Sequence, residues 1–360
     1  MQGPGVLSDR MIREMTETGA IFATEPFQDG QIQPASLDLR LGHRAFRVRA
    51  SFLAGKDRTV SGRLDQFKMH EVDLTGGAVL EKGCVYVVPL MENLDLPKGM
   101  TGAASAKSST GRLDLLTRII TDHGTEFDRI PDGYSGPLYA EICPKSFSVL
   151  VEPGLTLTQI IFRLGQTVIS DAELAEIHAR TPIVSGEPVI SGGLGFSVDL
   201  APQSGTLVGY RAKPHTGIID LRHIGHYDPA EFWEEVHTTE GRIILDPGAF
   251  YILVSREAIA IPPDCAAEMA PYLAMVGEFR VHYAGFFDPG FGYDAAGGSG
   301  SRGVLEVRCH EAPFVLEHGQ IVGRLVYERM AEQPETLYGA GIKSNYQGQG
   351  LKLSKHFRST

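Results

Sequence analysis

The sequence predicts a mostly β protein that contains two copies of one domain. Its 42 glycines and 21 prolines separate short apolar runs such as CVYVVPL, FYILVS and RGVLEVRC, and short runs between turn residues are typical of strands. The second half of the chain also repeats segments of the first half, which indicates a duplicated unit. A length of 360 residues leaves room for about two domains.

Only three short helices are predicted, each from a capping signal at its start. Serine and aspartate side chains can accept a hydrogen bond from the first turn of a helix, and proline is favoured at the first helical position. The predicted helices are Asp9–Thr18 after the cap Ser8, Asp171–Arg180 after the cap Ser170, and a helix that starts at Asp228-Pro229 and runs to about His237.

The repeat consists of segments that lie 165 residues apart, with one further match 161 residues apart. Several matches at one offset indicate two copies of the same β domain. We therefore predict a first domain over 1–168, a second domain over 169–330 and a C-terminal tail over 331–360. The matched segments are 80–86 with 245–251, Pro97 with Pro262, Glu141 with Glu306, 154–162 with 319–327 and, at the offset of 161, 36–39 with 197–200.

One loop combines positive charge and hydroxyl groups in a chain whose formal net charge is −11. Lys107, Ser108, Ser109 and Arg112 lie close together, and the offset of 165 places only neutral residues opposite them in the second copy. The charges of the loop are therefore not needed to fold the domain. Because an arginine fork, a lysine and hydroxyl donors together suit phosphate oxygens, the loop predicts a polyphosphate site.

The composition argues against several classes of partner and location. A net charge of −11 disfavours binding to nucleic-acid polymers, whose protein partners are usually basic. The sequence has no run of about 20 apolar residues that would predict a membrane span, and its N-terminus lacks the apolar core of a signal peptide. Its four cysteines form no Cys-x-x-Cys pair, which fits reduced thiols in the cytoplasm. We expect a cytoplasmic protein.

Six segments resemble, in order, the motifs of the dCTP deaminases, a family of the dUTPase-related superfamily, in an elongated two-domain form. AKSSTGR resembles the phosphate motif of this family, and DRIPDGYSGPLYAEI resembles the hairpin that ends in its catalytic glutamate. The segments are GVLSDRMIREM at 5–15, QPASLDLRLG at 33–42, AKSSTGR at 106–112, DRIPDGYSGPLYAEI at 128–142, VEPGLTLTQIIF at 151–162 and GIKSNYQGQG at 341–350.

The resemblance implies a fold, an activity and partners. The fold is two tandem dUTPase-like distorted β-barrel (β-clip) domains with a few short helices. The activity is hydrolytic deamination of dCTP to dUTP and ammonia, with a glutamate as general acid and base. A homo-oligomer is expected, because the family's sites lie between subunits of a trimer. The alternatives are a bifunctional dCTP deaminase and dUTPase, a dUTPase, and a nucleotide-binding protein without activity.

The resemblance leaves two candidates for the catalytic glutamate. Glu141 follows Gly136 by five residues, and this spacing favours Glu141. Glu306 is the alternative, because VHYAGFFDPGF at 281–291 of the second copy keeps the family's Asp-Pro-Gly turn, whereas the first copy has the order Pro-Asp-Gly. A fused pair of domains could then bind the triphosphate on one copy and the base on the other.

The resemblance also implies substrate-binding residues in three parts of the chain. Lys107 departs from the family, which usually has arginine at this position. The polar tail residues would form a lid, because a segment flanked by glycines can close over phosphates and exclude water. The set is Lys107, Ser108, Ser109, Arg112 and Arg129 in the first copy, His282, Ala284 and Asp288 in the second copy, and Lys343, Tyr346, Gln347 and Gln349 in the tail.

No catalytic metal is predicted. Zinc deaminases combine an H-x-E with a P-C-x-x-C motif, and this chain contains neither P-C-x-x-C nor H-E-x-x-H. Magnesium is expected only as the companion of the triphosphate, since it commonly binds through substrate phosphates.

Overall fold

The computed structural model describes residues 3–203, 205–271, 279–282, 285–309, 311–339 and 346–359, without the side chains of residues 271, 279, 280 and 282. Strands dominate these residues, and the longest helices have ten residues each. The predicted mostly β fold with a few short helices is therefore confirmed. Within the described ranges, no helix is long and apolar enough to cross a membrane.

The first copy contains two main antiparallel sheets. Its elements, in chain order, are β1 (Gly5–Val6), α1 (Asp9–Thr18), β2 (Ile21–Ala23), β3 (Leu37–Arg40), β4 (Arg44–Val48), α2 (Val60–Phe67), β5 (Lys68–Asp73), β6 (Ala78–Leu80), β7 (Val85–Asp95), β8 (Met100–Ala106), α3 (Ser108–Gly111), β9 (Leu115–Thr121), β10 (Arg129–Ile130), β11 (Ser135–Pro144), β12 (Val149–Val151) and β13 (Thr156–Leu164). One sheet has the order β1-β13-β8-β10 with β3 beside β13, and the other has the order β5-β4-β7-β11-β9 with β2 beside β7.

The second copy has the same arrangement in shortened form. Its elements are α4 (Asp171–Arg180), β14 (Leu194–Ser197), β15 (Leu207–Ala212), β16 (Ile219–Asp220), α5 (Pro229–Phe232), β17 (Trp233–His237), β18 (Arg242–Leu245), β19 (Phe250–Ile259), β20 (Cys265–Pro271), β21 (Phe279–His282), β22 (Phe286–Phe287), a 3-10 turn (Asp294–Ala296), β23 (Ser301–Cys309), β24 (Phe314–Glu317) and β25 (Ile321–Arg329). Its sheets have the orders β14-β25-β20-β22 and β17-β15-β19-β23-β21, and β18 pairs with β24.

Strand pairing in the two copies shows where the repeat offset holds and where it changes. The pair β8–β13 of the first copy recurs as β20–β25, with the same register at the offset of 165. Near the start of each copy the offset differs, because the bridge Leu41–Leu90 of the first copy recurs as Val198–Ser255. Strand β14 pairs with β25 in the same way that β3 pairs with β13. The predicted match of 36–39 with 197–200 is therefore wrong by four residues.

Two of the three predicted helices have the predicted bounds. In α1 the side chain of Ser8 accepts a hydrogen bond from the Met11 N–H, and in α4 the side chain of Ser170 accepts one from the Glu173 N–H. Each serine satisfies a backbone donor of the first turn that has no partner within the helix.

The third helix prediction is correct at its start and wrong at its end. Asp228 caps α5 as predicted, but α5 ends at Phe232. Trp233–His237 instead forms β17, which pairs with β15. The pairing satisfies the backbone of this segment and buries Trp233, so a contact distant in sequence overrides the local helix signal. Helices α2 and α3 were not predicted.

A single hydrophobic cluster joins the two copies and the tail. Most of its residues belong to the first copy, and it also includes Trp233, Phe250 and Ile252 of the second copy. Leu353 and Phe357 of the tail belong to the same cluster. The two copies therefore pack through a shared core, and the last part of the tail is buried in it.

Candidate active site

A cavity of about 190 Å³ lies where the first copy, the second copy and the tail meet. The phosphate-type loop, with Lys107, Ser108, Ser109 and Arg112, lines one side of it. Glu306 lines it from the second copy. The volume is below the roughly 300–1,000 Å³ of typical ligand sites.

Arg112 is buried and is held in place by the tail. Its guanidinium donates to the Lys352 carbonyl at 3.0 Å and to Gln349 Oε1 at 2.9 Å. The ring of Tyr346 lies 4.0 Å from its guanidinium carbon, a cation–π arrangement that favours the charged group. The loop and the tail thus form one wall of the cavity.

Lys107 lies beside Arg112 and forms an ion pair with Asp38 across the first copy. The Lys107 ammonium also donates to Thr156 Oγ1 at 3.1 Å. Burial raises the pKa of Asp38, while the charge of Lys107 acts in the opposite direction. The ion pair therefore keeps a partly buried cation in the cavity.

Glu306 is one of two buried carboxyl groups that the second copy contributes to this cavity. It lies on β23, with Ile252 of β19 opposite it on one side and His282 of β21 opposite it on the other. Burial raises the pKa of Glu306 to about 8, and the charge of Arg112 opposes this increase. Such a carboxyl group can both accept and donate a proton near neutral pH.

Asp288 is a second buried acid in the cavity. Its carboxylate accepts a hydrogen bond from the Ala35 N–H of the first copy at 3.2 Å. Burial raises the pKa of Asp288 to about 7; the hydrogen bond from Ala35 acts in the opposite direction, and the charge of Asp38 adds to the increase. Asp288 therefore connects the second copy to the wall that holds Lys107.

Glu141 occupies the equivalent position in the first copy but has different surroundings. It does not line the cavity. Its carboxylate pairs with Arg118 at 2.5 Å, and Arg118 lies opposite it on β9. The Arg118 guanidinium carbon lies 3.6 Å from the centre of the Phe127 ring. The acid is thus neutralised by a cation of its own domain.

The first copy also covers the face of the sheet that carries Glu141. Residues of the insertion between β4 and β5, among them Phe52, Val60 and Leu64, form a hydrophobic cluster with Ile120 and Tyr139 of this face. The corresponding face of the second copy carries Ile252, Val304 and Glu306, and there Ile252 and Val304 belong to the core shared with the first copy. Of the two equivalent glutamates, Glu306 lies on the face that meets the other copy.

The remaining predicted site residues have varied positions. Tyr346 and Gln349 line the cavity, whereas Gln347 bonds to the Gly292 N–H and the Gly290 carbonyl. Arg129 lines a different depression, next to Arg163. Ala284 and Lys343 lie outside the described residues, and His282 is described in its backbone only.

Several residues that line the cavity, among them Asp38, Gln159 and Lys355, were not among the predicted site residues. Asp38 lies within the matched segment 33–42. Gln159 is on β13 and Lys355 is in the last turn of the chain, and both line the cavity. Gln159 lies within the matched segment 151–162, whereas Lys355 lies in no matched segment.

Two family models match consecutive parts of the chain. The N-terminal domain of 2'-deoxycytidine 5'-triphosphate deaminase matches residues 3–166, and the C-terminal domain of the same family matches residues 170–357.

Similar proteins agree with this match. The crystal structure of 2'-deoxycytidine 5'-triphosphate deaminase from Agrobacterium tumefaciens is 52% identical, with a TM-score of 0.88, and the alignment covers 91% of this chain and 99% of that chain. A protein of Corynebacterium glutamicum (strain R) named "dCTP deaminase, dUMP-forming" is 33% identical over 187 residues, 51% of this chain and 87% of that protein. One of the same name from Nanoarchaeum equitans is 29% identical over 179 residues, 44% of this chain and 85% of that protein.

The resemblance that six sequence motifs indicated is therefore confirmed, together with the fold of tandem dUTPase-like domains. The chain belongs to the dCTP deaminase family.

Proposed function

We propose that this chain hydrolytically deaminates dCTP to dUTP and ammonia in the cavity between its two copies, with Glu306 as general acid and base. Deamination of dCTP is the activity of the family to which the chain belongs. The products, the choice of glutamate and the division of the site between the copies are the new parts of the proposal.

One observation supports the proposal above the others. The only charged phosphate-type loop of the repeat and the buried Glu306 line the same cavity from different copies. Glu141, by contrast, is paired with Arg118. A triphosphate on the loop would place its base toward the second copy, where Glu306 is one of the two buried acids.

The first copy would bind the triphosphate. Arg112 can form two parallel hydrogen bonds to phosphate oxygens, and Lys107 adds a positive charge beside it. The hydroxyl groups of Ser108 and Ser109 would donate to the same oxygens. Magnesium would arrive with the nucleotide as part of the substrate.

The second copy would carry out the proton transfers. Glu306 in its carboxylate form takes a proton from water as the oxygen attacks C4 of cytosine, and passes that proton to ring N3. In the tetrahedral intermediate it takes the remaining hydroxyl proton and delivers it to the amino group. The C4–N bond then breaks and ammonia leaves, with uracil as the product.

A second candidate is a bifunctional enzyme that also converts dUTP to dUMP and pyrophosphate. The names of several relatives, "dCTP deaminase, dUMP-forming", favour this candidate. Hydrolysis would need a base to activate water near the α-phosphate, and Asp288, which lies close to Lys107 and Asp38, is available for it.

The products formed from dCTP and magnesium distinguish the candidates. We expect ammonia in equal amount to the dCTP consumed, with no pyrophosphate. Ammonia and pyrophosphate together would establish the bifunctional reaction, and pyrophosphate from dUTP without ammonia from dCTP would establish a dUTPase. Tight binding of dCTP without any product would contradict an enzymatic function.

The reaction is proposed to proceed without zinc. In the described part of the chain, no group of three or more His, Cys, Asp or Glu side chains is arranged to hold a metal ion. Chelation followed by addition of magnesium alone should therefore restore full activity. One tightly bound zinc per chain, lost together with activity, would contradict the proposal.

A further inference from the structure

The end of the tail is fixed on both sides of Lys355. The hydroxyl group of Ser354 donates to the Ser109 carbonyl at 2.7 Å, which ties the tail to the phosphate-type loop. On the other side, His356 Nδ1 lies 2.9 Å from the His223 carbonyl oxygen, and the Lys355 carbonyl accepts a hydrogen bond from the Gly225 N–H at 2.9 Å. The backbone of Lys355 is therefore held between the first and second copies.

The side chain of Lys355 faces a cavity that already contains two cations. It lines the cavity together with Lys107 and Arg112. Burial lowers the pKa of Lys355; the charge of Lys107 lowers it further, and the charge of Asp38 acts in the opposite direction. Asp38 is already engaged in the ion pair with Lys107. Among the described residues, Lys355 has no carboxylate partner of its own.

A half-buried ammonium group that is repelled by a second one is unfavourable unless an anion neutralises both. The cavity suits an anion with several charges, because the three cations Lys107, Arg112 and Lys355 line it. A triphosphate carries enough negative charge to pair with all of them.

We propose that Lys355 is a further substrate-binding residue, a third cation that the anchored end of the tail adds to Lys107 and Arg112 to bind the triphosphate. The inference rests on the proposed function, since it concerns the same site. It assigns a binding role to a segment beyond the tail motif that the sequence comparison indicated.

Binding should then be coupled to protonation. In the free protein the pKa of Lys355 is lowered, and a triphosphate beside it would raise that pKa again, because opposite charge favours the charged form. Nucleotide binding should therefore increase the fraction of protonated Lys355, and Lys355 should contribute to proton uptake at alkaline pH. A lysine with only a packing role would not contribute.

The test measures dCTP affinity and proton uptake by titration calorimetry in two buffers of different ionisation enthalpy. The parent protein is Glu306→Gln, so that substrate is not consumed, and the variants are Lys355→Met, Lys355→Gln and Lys355→Arg. We expect at least about a tenfold loss of affinity in Lys355→Met and Lys355→Gln, the size expected for a lost charged hydrogen bond. Both should take up fewer protons than the parent at alkaline pH. Lys355→Arg should retain affinity within a few-fold.

Arg358→Met is the matched control, because Arg358 is an exposed cation three residues away in the same anchored segment. Equal affinity and equal proton uptake in folded Lys355→Met and Arg358→Met would overturn the role of Lys355 and leave the proposed function intact. Absence of dCTP binding by the parent would overturn the proposed function, and the role of Lys355 with it.

Discussion

At the scale of single residues, the two copies use the same position in opposite ways. Glu141 and Glu306 are equivalent in the repeat, and both are buried. Arg118 neutralises Glu141, whereas Glu306 has the charge of Arg112 near it but no ion pair among the described residues. Burial raises the pKa of Glu306, and the charge of Arg112 opposes this increase.

The raised pKa predicts how stability depends on pH. The carboxyl group of Glu306 has a pKa of about 8 in the fold, above its reference value of 4.5. The contribution of such a group to the free energy of unfolding is fully present below pH 4.5. It is lost as pH rises through about 8. Glu306→Gln removes the titration, so the free energy of unfolding should fall less steeply with pH in this variant than in the wild type.

Urea unfolding of the nucleotide-free protein at pH 5.5 and at pH 8.5 measures this effect. We expect Glu306→Gln to gain on the order of 1 kcal/mol or more relative to the wild type between these two conditions. Glu317→Gln, at an exposed position, should show no such gain. An equal pH dependence in Glu306→Gln and the wild type would contradict a buried carboxyl group with raised pKa.

The sequence indicated the phosphate-type loop and favoured Glu141, whereas our proposal for the catalytic residue is Glu306. The loop was predictable because Lys107 and Arg112 have no charged counterpart in the second copy. The choice between the glutamates depends on Arg118 being opposite Glu141 on a neighbouring strand, and on which sheet face meets the other copy. Neither fact can be read from local spacing.

At the scale of elements, local signals fixed helix starts better than helix ends. Ser8 and Ser170 cap their helices through contacts within the first turn, so the sequence pattern was sufficient. The end of α5 is set by pairing of β17 with β15, a contact between distant segments. Periodicity could not reveal this contact.

The end of the tail is anchored in the hydrophobic core. Phe357 is buried, with its ring 5.5 Å from that of Phe232 and 5.9 Å from that of Trp233. The residues before it cross the cavity and contact Arg112. Removing the whole tail would therefore damage the core as well as the proposed lid, so point variants give the clearer test.

Phe357→Ala should separate anchoring from chemistry. Loss of a buried phenylalanine costs about 3–5 kcal/mol of unfolding free energy, and release of the anchor should raise KM for dCTP severalfold more than it lowers kcat. Steady-state kinetics below the unfolding temperature measure both quantities. Phe22→Ala, at a position where the side chain is 47% exposed, is the control. An unchanged KM in Phe357→Ala would show that the anchor does not support substrate binding.

At the scale of the whole molecule, the duplicated domain is specialised at the contact between its copies. Arg163 on β13 and Glu328 on β25 occupy equivalent positions at the offset of 165, and they form an ion pair with an Nε–Oε2 distance of 2.6 Å. Arg163 also bonds to Glu268 at 2.9 Å. Two identical domains could not form this pair, because equivalent residues would then carry like charges. The sequence repeat predicted the two copies, but not this contact, since opposite charges at matched positions look like simple divergence.

Both copies and the tail contribute to one cavity within the chain. The first copy provides the charged loop, the second copy provides Glu306, and the tail provides Tyr346 and Gln349. The homo-oligomer expected from the family resemblance stays a prediction.

The most direct measurement is the rate of ammonia release from dCTP by Glu306→Gln and by Glu141→Gln, each compared with the wild type. Loss of a general acid and base slows a reaction by about a hundredfold or more, so Glu306→Gln should lose at least this factor in kcat while it still binds dCTP. Folded Glu141→Gln should keep kcat within a few-fold, because Glu141 pairs with Arg118 away from the cavity. The reverse result, with Glu141→Gln inactive and Glu306→Gln active, would contradict a site divided between the two copies.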